Sequence, residues 1–285
     1  MEATESGAVA VVGTLNLDLV VTLVRRPAVG ETVLGRTLTE RPGGKGANQA
    51  RAAAAVCTTA LVGATGTDAA GDRMVSDLAA AGVDVTYVRR ASDTSGHAVI
   101  EVDDSGDNSI IVISGANGRL TADDVVSALD ALRPTVVMTQ LESPREVTEA
   151  TAKWCHANGI RFLLNPSPTA HLGPSILSGA DPLIVNQIEA AYYAEASEDA
   201  EPTELARALL SMSRSAIITR GGDDVVVATR DSIDILDVPK VDVVDTTGAG
   251  DVFAGTLAAH LALGSTLLDA ARSATRASAD HVAAK

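Results

Sequence analysis

A glycine-rich segment near the carboxyl end of the chain combines the residue types needed to bind an anion and to move a proton. Residues 245 to 251 read Asp-Thr-Thr-Gly-Ala-Gly-Asp and run directly into a helical apolar pattern. Glycine permits a tight turn and a close backbone approach, and the first N–H groups of a helix have no intrahelical acceptor. With the helix dipole, these donors form an anion site. Asp251 adds a carboxylate at its rim, which could take a proton from a group that attacks a phosphate.

A purely structural explanation stays open at this point, because glycine-rich turns often precede helices and Asp is favoured in a first helical turn. Residues 42 to 49, Pro-Gly-Gly-Lys-Gly-Ala-Asn-Gln, form a second glycine-rich helix start with the same ambiguity. Three glycines in four residues destabilise a helix start unless the backbone must approach a partner or adopt positive φ. The segment lacks the spacing of a Walker loop.

Polar residues also follow several predicted strands. Asn16 and Asp18 share one face of an extended segment, where an amide and a carboxylate can hold vicinal hydroxyls or form an Asx turn. Asn186 and Glu189 could hold a hydrated divalent cation near phosphates, although Glu189 could simply complement a helix dipole. Further strand ends carry Gln140 to Glu142, Asn165, and Thr219 to Gly222. Because the carboxyl ends of parallel strands border one crevice, we expect these residues to meet there.

The elements that must position these residues alternate between strand and helix. Apolar runs predict strands at 8–13, 59–63, 85–88, 135–139, 161–165, 183–186 and 215–219. Helical patterns occur at 46–56, 69–81, 144–158, 187–195 and 202–213. A helix capped by Thr121 and Asp124, a strand pair at 224–228 and 232–236, and two final helices complete the pattern. The alternation predicts a single α/β domain, residues 1–285, with a mostly parallel central sheet and helices on both faces.

Two mixed extended segments, 14–42 and 95–115, interrupt this alternation. The second predicts a hairpin around the turn-rich residues 104–108. We expect the two segments to form a small, discontinuous β layer that closes over a site like a lid.

Composition restricts the possible functions. The chain is 46% hydrophobic but only 2% aromatic, which suits an aliphatic parallel sheet. Its net charge of −15 argues against nucleic acid as a partner. No apolar run is long enough for a membrane span, and the N-terminus lacks a signal-peptide layout. Cys57 and Cys155 form no Cys-x-x-Cys motif, and no histidine spacing suggests zinc, so we expect a reduced cytoplasmic protein.

Taken in chain order, the motifs resemble the ribokinase branch of the PfkB carbohydrate kinases. The segments concerned are Asn16-x-Asp18, Gly43-Gly-Lys-Gly-Ala-Asn48, Gln140-Leu-Glu142, Asn186-x-x-Glu189 and Asp245-Thr-Thr-Gly-Ala-Gly-Asp251. Gly-Ala-Gly-Asp is specific to the superfamily, and Gly-Gly-Lys-Gly-Ala-Asn-Gln-Ala with Gln-Leu-Glu is typical of the branch. The resemblance implies a three-layer ribokinase-like fold with a β lid, and an ATP-dependent kinase that phosphorylates D-ribose at O5.

The resemblance also implies a role for each segment. Asp251 would be the catalytic base, and the anion hole would be formed by Gly248, Ala249 and Gly250. The sugar would be held by Asn16, Asp18, Gly44, Lys45, Gly46, Asn48 and Glu142. Asn186 would contact ATP and Glu189 would order Mg²⁺ through water. The nucleotide pocket would be lined by Thr219, Arg220, Gly221, Gly222, Asp223 and Asp224. Asp245 and the Thr247 carbonyl would bind K⁺.

Three further expectations follow from the resemblance and from the helix dipole. Two lids from two subunits would pair to form a homodimer. The dipole would lower the pKa of Asp251, keep it ionised and make it a weak base. In the family a Gly-Ala-x-x-Ser-like segment and a terminal helix follow the last helix. This chain ends at Lys285, so we expect either a truncated chain or a protein without that segment's contribution to the K⁺ loop and to the adenine contact around Thr275.

Alternative functions differ in what they require of the chain. A related kinase for another pentose, deoxyribose or a nucleoside stays open, although segments 14–42 and 95–115 contain no aromatic residue to stack on a base. A catalytically silent sugar sensor would not need Asp251 and both glycine motifs. A dinucleotide oxidoreductase would need Gly-x-Gly-x-x-Gly after the first strand, which is absent.

Overall fold

The computed structural model describes residues 7–105 and 108–284, and its strands form two sheets. The strands are β1 (Ala8–Val12), β2 (Asn16–Thr22), β3 (Thr37–Gly43), β4 (Thr58–Gly66), β5 (Val88–Ala91), β6 (Gly96–Val102), β7 (Asn108–Ile113), β8 (Val136–Thr139), β9 (Arg161–Leu164), β10 (Ala180–Asn186), β11 (Ala216–Thr219), β12 (Asp224–Ala228) and β13 (Ile233–Asp237). The helices are α1 (Lys45–Ala54), α2 (Ala69–Ala80), α3 (Ala122–Leu132), α4 (Arg145–Asn158), α5 (Pro174–Leu177), α6 (Gln187–Ala194), α7 (Pro202–Leu210), α8 (Ala249–Ala262) and α9 (Leu267–Ala283), with a 3-10 helix at Gly115–Arg119.

The large sheet is buried by helices on both faces. Its order is β13-β12-β11-β10-β9-β8-β1-β4-β5, in which β11 to β5 run parallel and β12 and β13 form an antiparallel edge. Along β1, Ala10 and Val12 pack with α3, α4, α6 and α7, whereas Val9 and Val11 pack with α1, α2, α8 and α9. Burial on both sides explains why these strand sequences are continuously apolar.

The strand order places a binding crevice at the carboxyl end of β1. From β1 the chain builds β4 and β5 on one side, and then β8, β9 and β10 on the other. The loops that follow β1 and β8 therefore part at this point, which is where ligands bind in open α/β sheets. These two loops carry residues 13–15 and 140–142.

The four-stranded sheet begins next to this crevice, because only residues 13–15 separate β1 from β2. Its order is β3-β2-β6-β7, with β2 and β6 parallel and both outer pairs antiparallel. The first residue of β2, Asn16, lies between Gly43 on β3 and Gly96 on β6. This sheet is the small second layer that the interrupted pattern predicts.

The predicted fold class is confirmed, and the differences concern element boundaries. The capping box of Thr121 and Asp124 forms as predicted. The strand predicted near 85–88 lies at Val88–Ala91, because the Asp84 side chain accepts from the Thr86 N–H in a turn that precedes it. The helix predicted to reach 213 ends at Leu210. In the mixed extended segment 14–42, the second strand is confined to Thr37–Gly43, and Leu34 before it is 91% exposed.

Part of the prediction lies outside the described residues, namely residues 1–6, 106–107 in the hairpin turn, and 285. The limits of the single domain stay a prediction. Among the described helices, none combines the length and apolarity that crossing a membrane requires.

Helices α1 and α8 touch backbone to backbone at Gly255. A Cβ added there would lie 2.2 Å from the Gln49 carbonyl oxygen and 2.8 Å from the Ala52 Cβ. No flexible side chain can move aside to relieve this clash. The contact sets how closely the two helices approach.

We predict that Gly255→Ala lowers the free energy of unfolding by about 2 kcal/mol or more, because overpacking outweighs the helix propensity of alanine. Urea titration followed by circular dichroism measures the change. Gly118→Ala is the matched control, since nothing lies within 4 Å of its added Cβ. An unchanged midpoint for Gly255→Ala would show that the helices do not meet at this distance.

Candidate active site

The start of α1 packs directly on the loop that follows β1. Gly44 precedes the helix with φ of 93°, and a Cβ there would lie 2.8 Å from the Asn16 nitrogen. A Cβ on Gly46 would lie 2.4 Å from the Thr14 nitrogen. Glu142, after β8, accepts hydrogen bonds from the Lys45 N–H at 3.2 Å and from the Thr14 hydroxyl. The glycines therefore let three chain segments converge on one point.

Asn16 and Asp18 lie beside this point, on β2. The Asn117 amide donates to Asn16 Oδ1 at 2.8 Å and so determines how the Asn16 amide is oriented. Asp18 lies over Gly43, where an added Cβ would be 2.2 Å from Asp18 Oδ2. Both side chains can therefore reach a ligand at the start of α1.

Asp18 has an unusually high pKa for a carboxyl group. Burial raises it to about 6, Arg41 opposes the increase, and the nearby negative charges of Glu142 and Asp251 add to it. Carboxylates that raise each other's pKa lie close together. The site therefore concentrates hydrogen-bond acceptors, which suits a ligand that carries hydroxyl groups.

Asp251 lies in the first turn of α8 and is only 8% exposed. Two amides from α1 hold its carboxylate: Asn48 Nδ2 donates to Oδ2 at 3.2 Å, and Gln49 Nε2 donates to Oδ1 at 2.9 Å. The arrangement of Asn48 against Asp251 brings two sequence motifs, 203 residues apart, into contact.

The expectation of a lowered Asp251 pKa was wrong. Burial raises the pKa of Asp251, and Lys45, the amides of Gln49 and Asn48, and His281 oppose the increase without cancelling it. Removal of a carboxylate from water disfavours its charged form. The helix dipole favours the charged form and so acts in the opposite direction to burial. Asp251 is consequently a stronger base than the sequence suggests, closer to what proton transfer near neutral pH requires.

The glycine-rich turn before α8 presents main-chain donors. Gly248 caps the helix with φ of 78°. Within the described part of the chain, the N–H groups of Gly248 and Gly250 have no acceptor, whereas the Ala249 N–H donates to the Thr246 carbonyl at 3.2 Å. Two of the three expected donors of the anion hole are therefore available in this conformation, and the third closes a turn.

These donors border a cavity of 170 Å³ that gathers residues from five chain segments. Its lining residues are Lys45, Asn165, Ser167, Ile184, Val185, Asn186, Glu189, Thr219, Thr246, Gly248, Ala249, Gly250 and Asp251. Lys45, expected to hold the sugar, thus faces this cavity and supplies a positive charge. N–H donors, a helix N-terminus and a lysine together suit a phosphate group.

Asn186 and Glu189 form a capping box at the start of α6. Asn186 Oδ1 accepts from the Glu189 N–H at 2.8 Å, and the Glu189 carboxylate accepts from the Asn186 N–H at 2.9 Å. Both also line the 170 Å³ cavity. No cluster of three or more His, Cys, Asp or Glu occurs among residues 7–105 and 108–284. One carboxylate fits Mg²⁺, which keeps several waters and shares substrate phosphates.

A second cavity of 330 Å³ adjoins the first and is mostly apolar. The two cavities share Thr219, Thr246, Ala249 and Gly250. The other lining residues are Gly221, Gly222, Val225, Val238, Pro239, Lys240, Val241, Val243, Phe253, Thr275, Ser278, Ala279 and Val282. An apolar cavity that continues into a donor-lined one suits a nucleotide, with its base in the former and its phosphates in the latter.

Only some of residues 219–224, which are expected to line the nucleotide pocket, line the apolar cavity. Thr219, Gly221 and Gly222 line the apolar cavity, whereas Arg220, Asp223 and Asp224 do not. Arg220 instead donates to Asp224 at 2.7 Å. The segment 238–243 was missed by sequence reasoning, because its valines carry no motif.

Asp245 and Thr247, which are expected to bind K⁺, make protein contacts through their oxygens in this arrangement. The Thr247 carbonyl accepts a hydrogen bond from His281 Nε2 at 3.0 Å. One Asp245 oxygen accepts from the Thr247 N–H at 2.8 Å, and the other lies 3.9 Å from the Arg41 guanidinium. Donors and positive charge already face the oxygens that the resemblance assigns to K⁺.

Gln49 is a further site residue that sequence reasoning missed. It is fully buried and contacts Asp251 directly. Its position next to Asn48 in a glycine-rich helix start is the signal that could have identified it. An 820 Å³ cavity also lies between α1, α8 and α9, and Asp18 and Asn48 border it.

Comparison with known proteins agrees with this geometry. The pattern of the pfkB family carbohydrate kinases matches residues 7–284. The chain is 36% identical over 272 residues to the ribokinase of Bacillus subtilis, covering 94% of this chain and 90% of that protein. It is 32% identical over 257 residues to the deoxyribokinase of Salmonella typhi, covering 88% and 84%. The structure of the Arabidopsis thaliana ribokinase complexed with ribose and ATP superimposes with a TM-score of 0.89 at 27% identity, covering 98% and 94%. The chain therefore belongs to the pfkB family of carbohydrate kinases.

Proposed function

We propose that this protein transfers the γ-phosphoryl group of ATP to O5 of D-ribose. The observation that carries the proposal is the position of Asp251, a buried carboxylate between a cluster of hydroxyl-binding groups and a donor-lined cavity. Likeness to ribokinases over nearly the whole chain supports ribose as the sugar.

The sugar binds to acceptors and amides at the start of α1. The side chains of Asn16, Asp18, Asn48 and Glu142 and the main chain of residues 44–46 hold its hydroxyl groups. Carboxylates accept O–H hydrogen bonds and so select a polyhydroxyl ligand over an apolar one. The small sheet of β2, β3, β6 and β7 closes over this ligand and excludes water, which suppresses hydrolysis of ATP.

Asp251 accepts the proton of the 5-hydroxyl while O5 forms a bond to the γ-phosphorus. The bond from that phosphorus to the oxygen bridging to ADP breaks, and ADP leaves with the electron pair. The transition state of such a transfer is loose, so positioning and charge stabilisation dominate.

Charge on the transferring phosphoryl group is stabilised by the N-terminus of α8. The N–H groups of Gly248 and Gly250 and the Lys45 ammonium face that cavity, and preorganised donors of this kind are worth several kcal/mol in a transition state. Asn186 and Glu189 would hold Mg²⁺ through water, and the ion would offset negative charge on the phosphates of ATP. K⁺ is not part of the proposal.

Deoxyribose is the second candidate sugar, because the chain resembles a deoxyribokinase almost as closely as it resembles ribokinases. ADP release from ATP with D-ribose, 2-deoxy-D-ribose, other pentoses and nucleosides separates these cases. We expect D-ribose to give the highest kcat/KM. Ribose binding without ADP release would instead select the sugar sensor.

Asp251→Asn should lower kcat roughly 100- to 10,000-fold, the usual contribution of a general base. Asparagine keeps the shape of the side chain but cannot accept the proton. Steady-state ADP release gives kcat, and isothermal titration checks that ribose still binds. Near-normal turnover of this variant would refute the role of Asp251.

The affinity for ribose should depend on pH through Asp18. Its pKa of about 6 means that the carboxylate is ionised above that pH and becomes protonated below it. Protonation removes the acceptor, so KM for ribose should rise roughly tenfold between about pH 7.5 and pH 5. In Asp18→Asn, KM should be high and should lose this dependence. A wild-type KM that stays constant over this range would contradict the assignment.

We further propose a homodimer formed through the small sheet. Its edge strand β7 exposes residues 110–113, each 43% or more exposed, and Leu38 on the opposite edge strand is 62% exposed. Exposed apolar edge strands pair readily with another chain.

Both cysteines are free thiols, which supports a reducing cytoplasmic location for this protein.

Sedimentation analysis should show a dimer for the wild type and a monomer for Ile111→Lys combined with Ile113→Lys. Buried lysines at such an interface would lack partners. Leu263→Lys, at an exposed apolar residue outside the small sheet, is the matched control and should remain dimeric. A wild-type monomer, or a dimer that persists in the double variant, would contradict this interface.

A further inference from the structure

Gln49 connects the proposed base to two other buried amides. Its Nε2 donates to Asp251 Oδ1 at 2.9 Å and to Asn165 Oδ1 at 3.1 Å. Its Oε1 accepts from Gln140 Nε2. Gln49 and Gln140 are 0% and 1% exposed, so these bonds do not compete with bulk water. Both donors of the Gln49 amide and its acceptor are thereby satisfied.

The orientation of the Gln49 amide is determined by a main-chain group. Asn165 Nδ2 donates to the Ile184 carbonyl at 3.0 Å, which turns Asn165 Oδ1 towards Gln49. Gln49 must therefore present its NH₂ group to that oxygen, and Gln140 must donate to Gln49 Oε1. A flipped Gln49 would place its oxygen against Asp251 and Asn165 oxygens and leave buried groups unpaired, which is costly.

We propose that Gln49 is a positioning residue for the phosphoryl transfer, whose amide, oriented by Gln140 and Asn165, fixes the Asp251 carboxylate for receipt of the O5 proton. This inference rests on the proposed function. Asn48 holds the second carboxylate oxygen, so the plane of the carboxylate is defined by two donors from consecutive residues of one helix. Neither Gln140 nor Asn165 touches Asp251 through a hydrogen bond, and they act through Gln49.

The hydrogen bonds of the Gln49 amide can be removed without disturbing the packing of helices α1 and α8. Helices α1 and α8 are held together by the close backbone contact at Gly255 and by buried alanines, among them Ala50, Ala53 and Ala254. Gln49→Met keeps the length and approximate volume of the side chain while removing its hydrogen bonds. Loss of a donor to a buried carboxylate also disfavours the ionised form, which gives a readout that packing alone would not move.

The first test follows the Asp251 carboxyl carbon by ¹³C NMR during a pH titration of the ligand-free protein, with the signal assigned by Asp251→Asn. In Gln49→Met the titration should move to higher pH by about one unit, because a donor to the charged form is lost. Gln140→Met should move it in the same direction by less, since Gln49 stays but its Oε1 loses the donor that helps to hold the amide in place. Thr151→Val is the control, because its buried hydroxyl donates to the Val147 carbonyl within α4, and it should leave the titration unchanged.

The second test measures turnover with ribose and ATP. Gln49→Met should lower kcat roughly 10- to 100-fold, the range expected for loss of a hydrogen bond to a charged group. Its KM for ATP should be unchanged, and the acidic limb of its kcat profile should move with the NMR titration. A titration and a kcat at wild-type values in both folded Gln49→Met and Gln140→Met would overturn the proposal. Failure of the proposed function appears differently, as no ADP release by the wild type with any sugar, while the NMR titration still reports whether Gln49 acts on Asp251.

Discussion

The burial of Asp251 in the first turn of α8 is the constraint on which the site depends. A carboxylate that is 8% exposed needs donors, and both come from α1. Those donors reach it only because α1 and α8 touch at Gly255, and because Gly44 and Gly46 let α1 start against the loop after β1. A chain of close backbone contacts thus links the centre of the parallel sheet to the position of one carboxylate.

The polarity of the site divides it into two parts. Asp18, Glu142 and Asp251 lie close enough to influence one another, in a protein whose net charge is already −15. Such a cluster repels ATP but accepts hydrogen bonds from a neutral sugar. Lys45 and the main-chain N–H groups before α8 provide the opposite character in the adjoining cavity. One carboxylate, Asp251, borders both, and this is where we propose that a proton leaves the sugar as the phosphate arrives.

The sequence was sufficient to predict those features of the fold and of the site that depend on local patterns. Alternating apolar runs predicted the parallel sheet, the interrupted segments predicted the small sheet, and strand ends predicted that Asn16, Glu142 and Asn186 face one crevice. Properties that depend on contacts between residues far apart in the sequence could not be predicted from local patterns. The raised pKa of Asp251 and the role of Gln49 arise from a contact between residues 202 positions apart. Likewise, no motif shows that His281 faces the Thr247 carbonyl, or that Arg220 turns to Asp224.

The position of the phosphate on the product tests the central claim most directly, because the proposed function directs the 5-hydroxyl of the sugar at Asp251. The product of ATP and ¹³C-labelled D-ribose can be examined by ³¹P NMR without purification. We predict one equivalent of ADP and a phosphorus signal coupled to C5 and its two protons. A signal coupled to C1, or inorganic phosphate as the sole product, would contradict it.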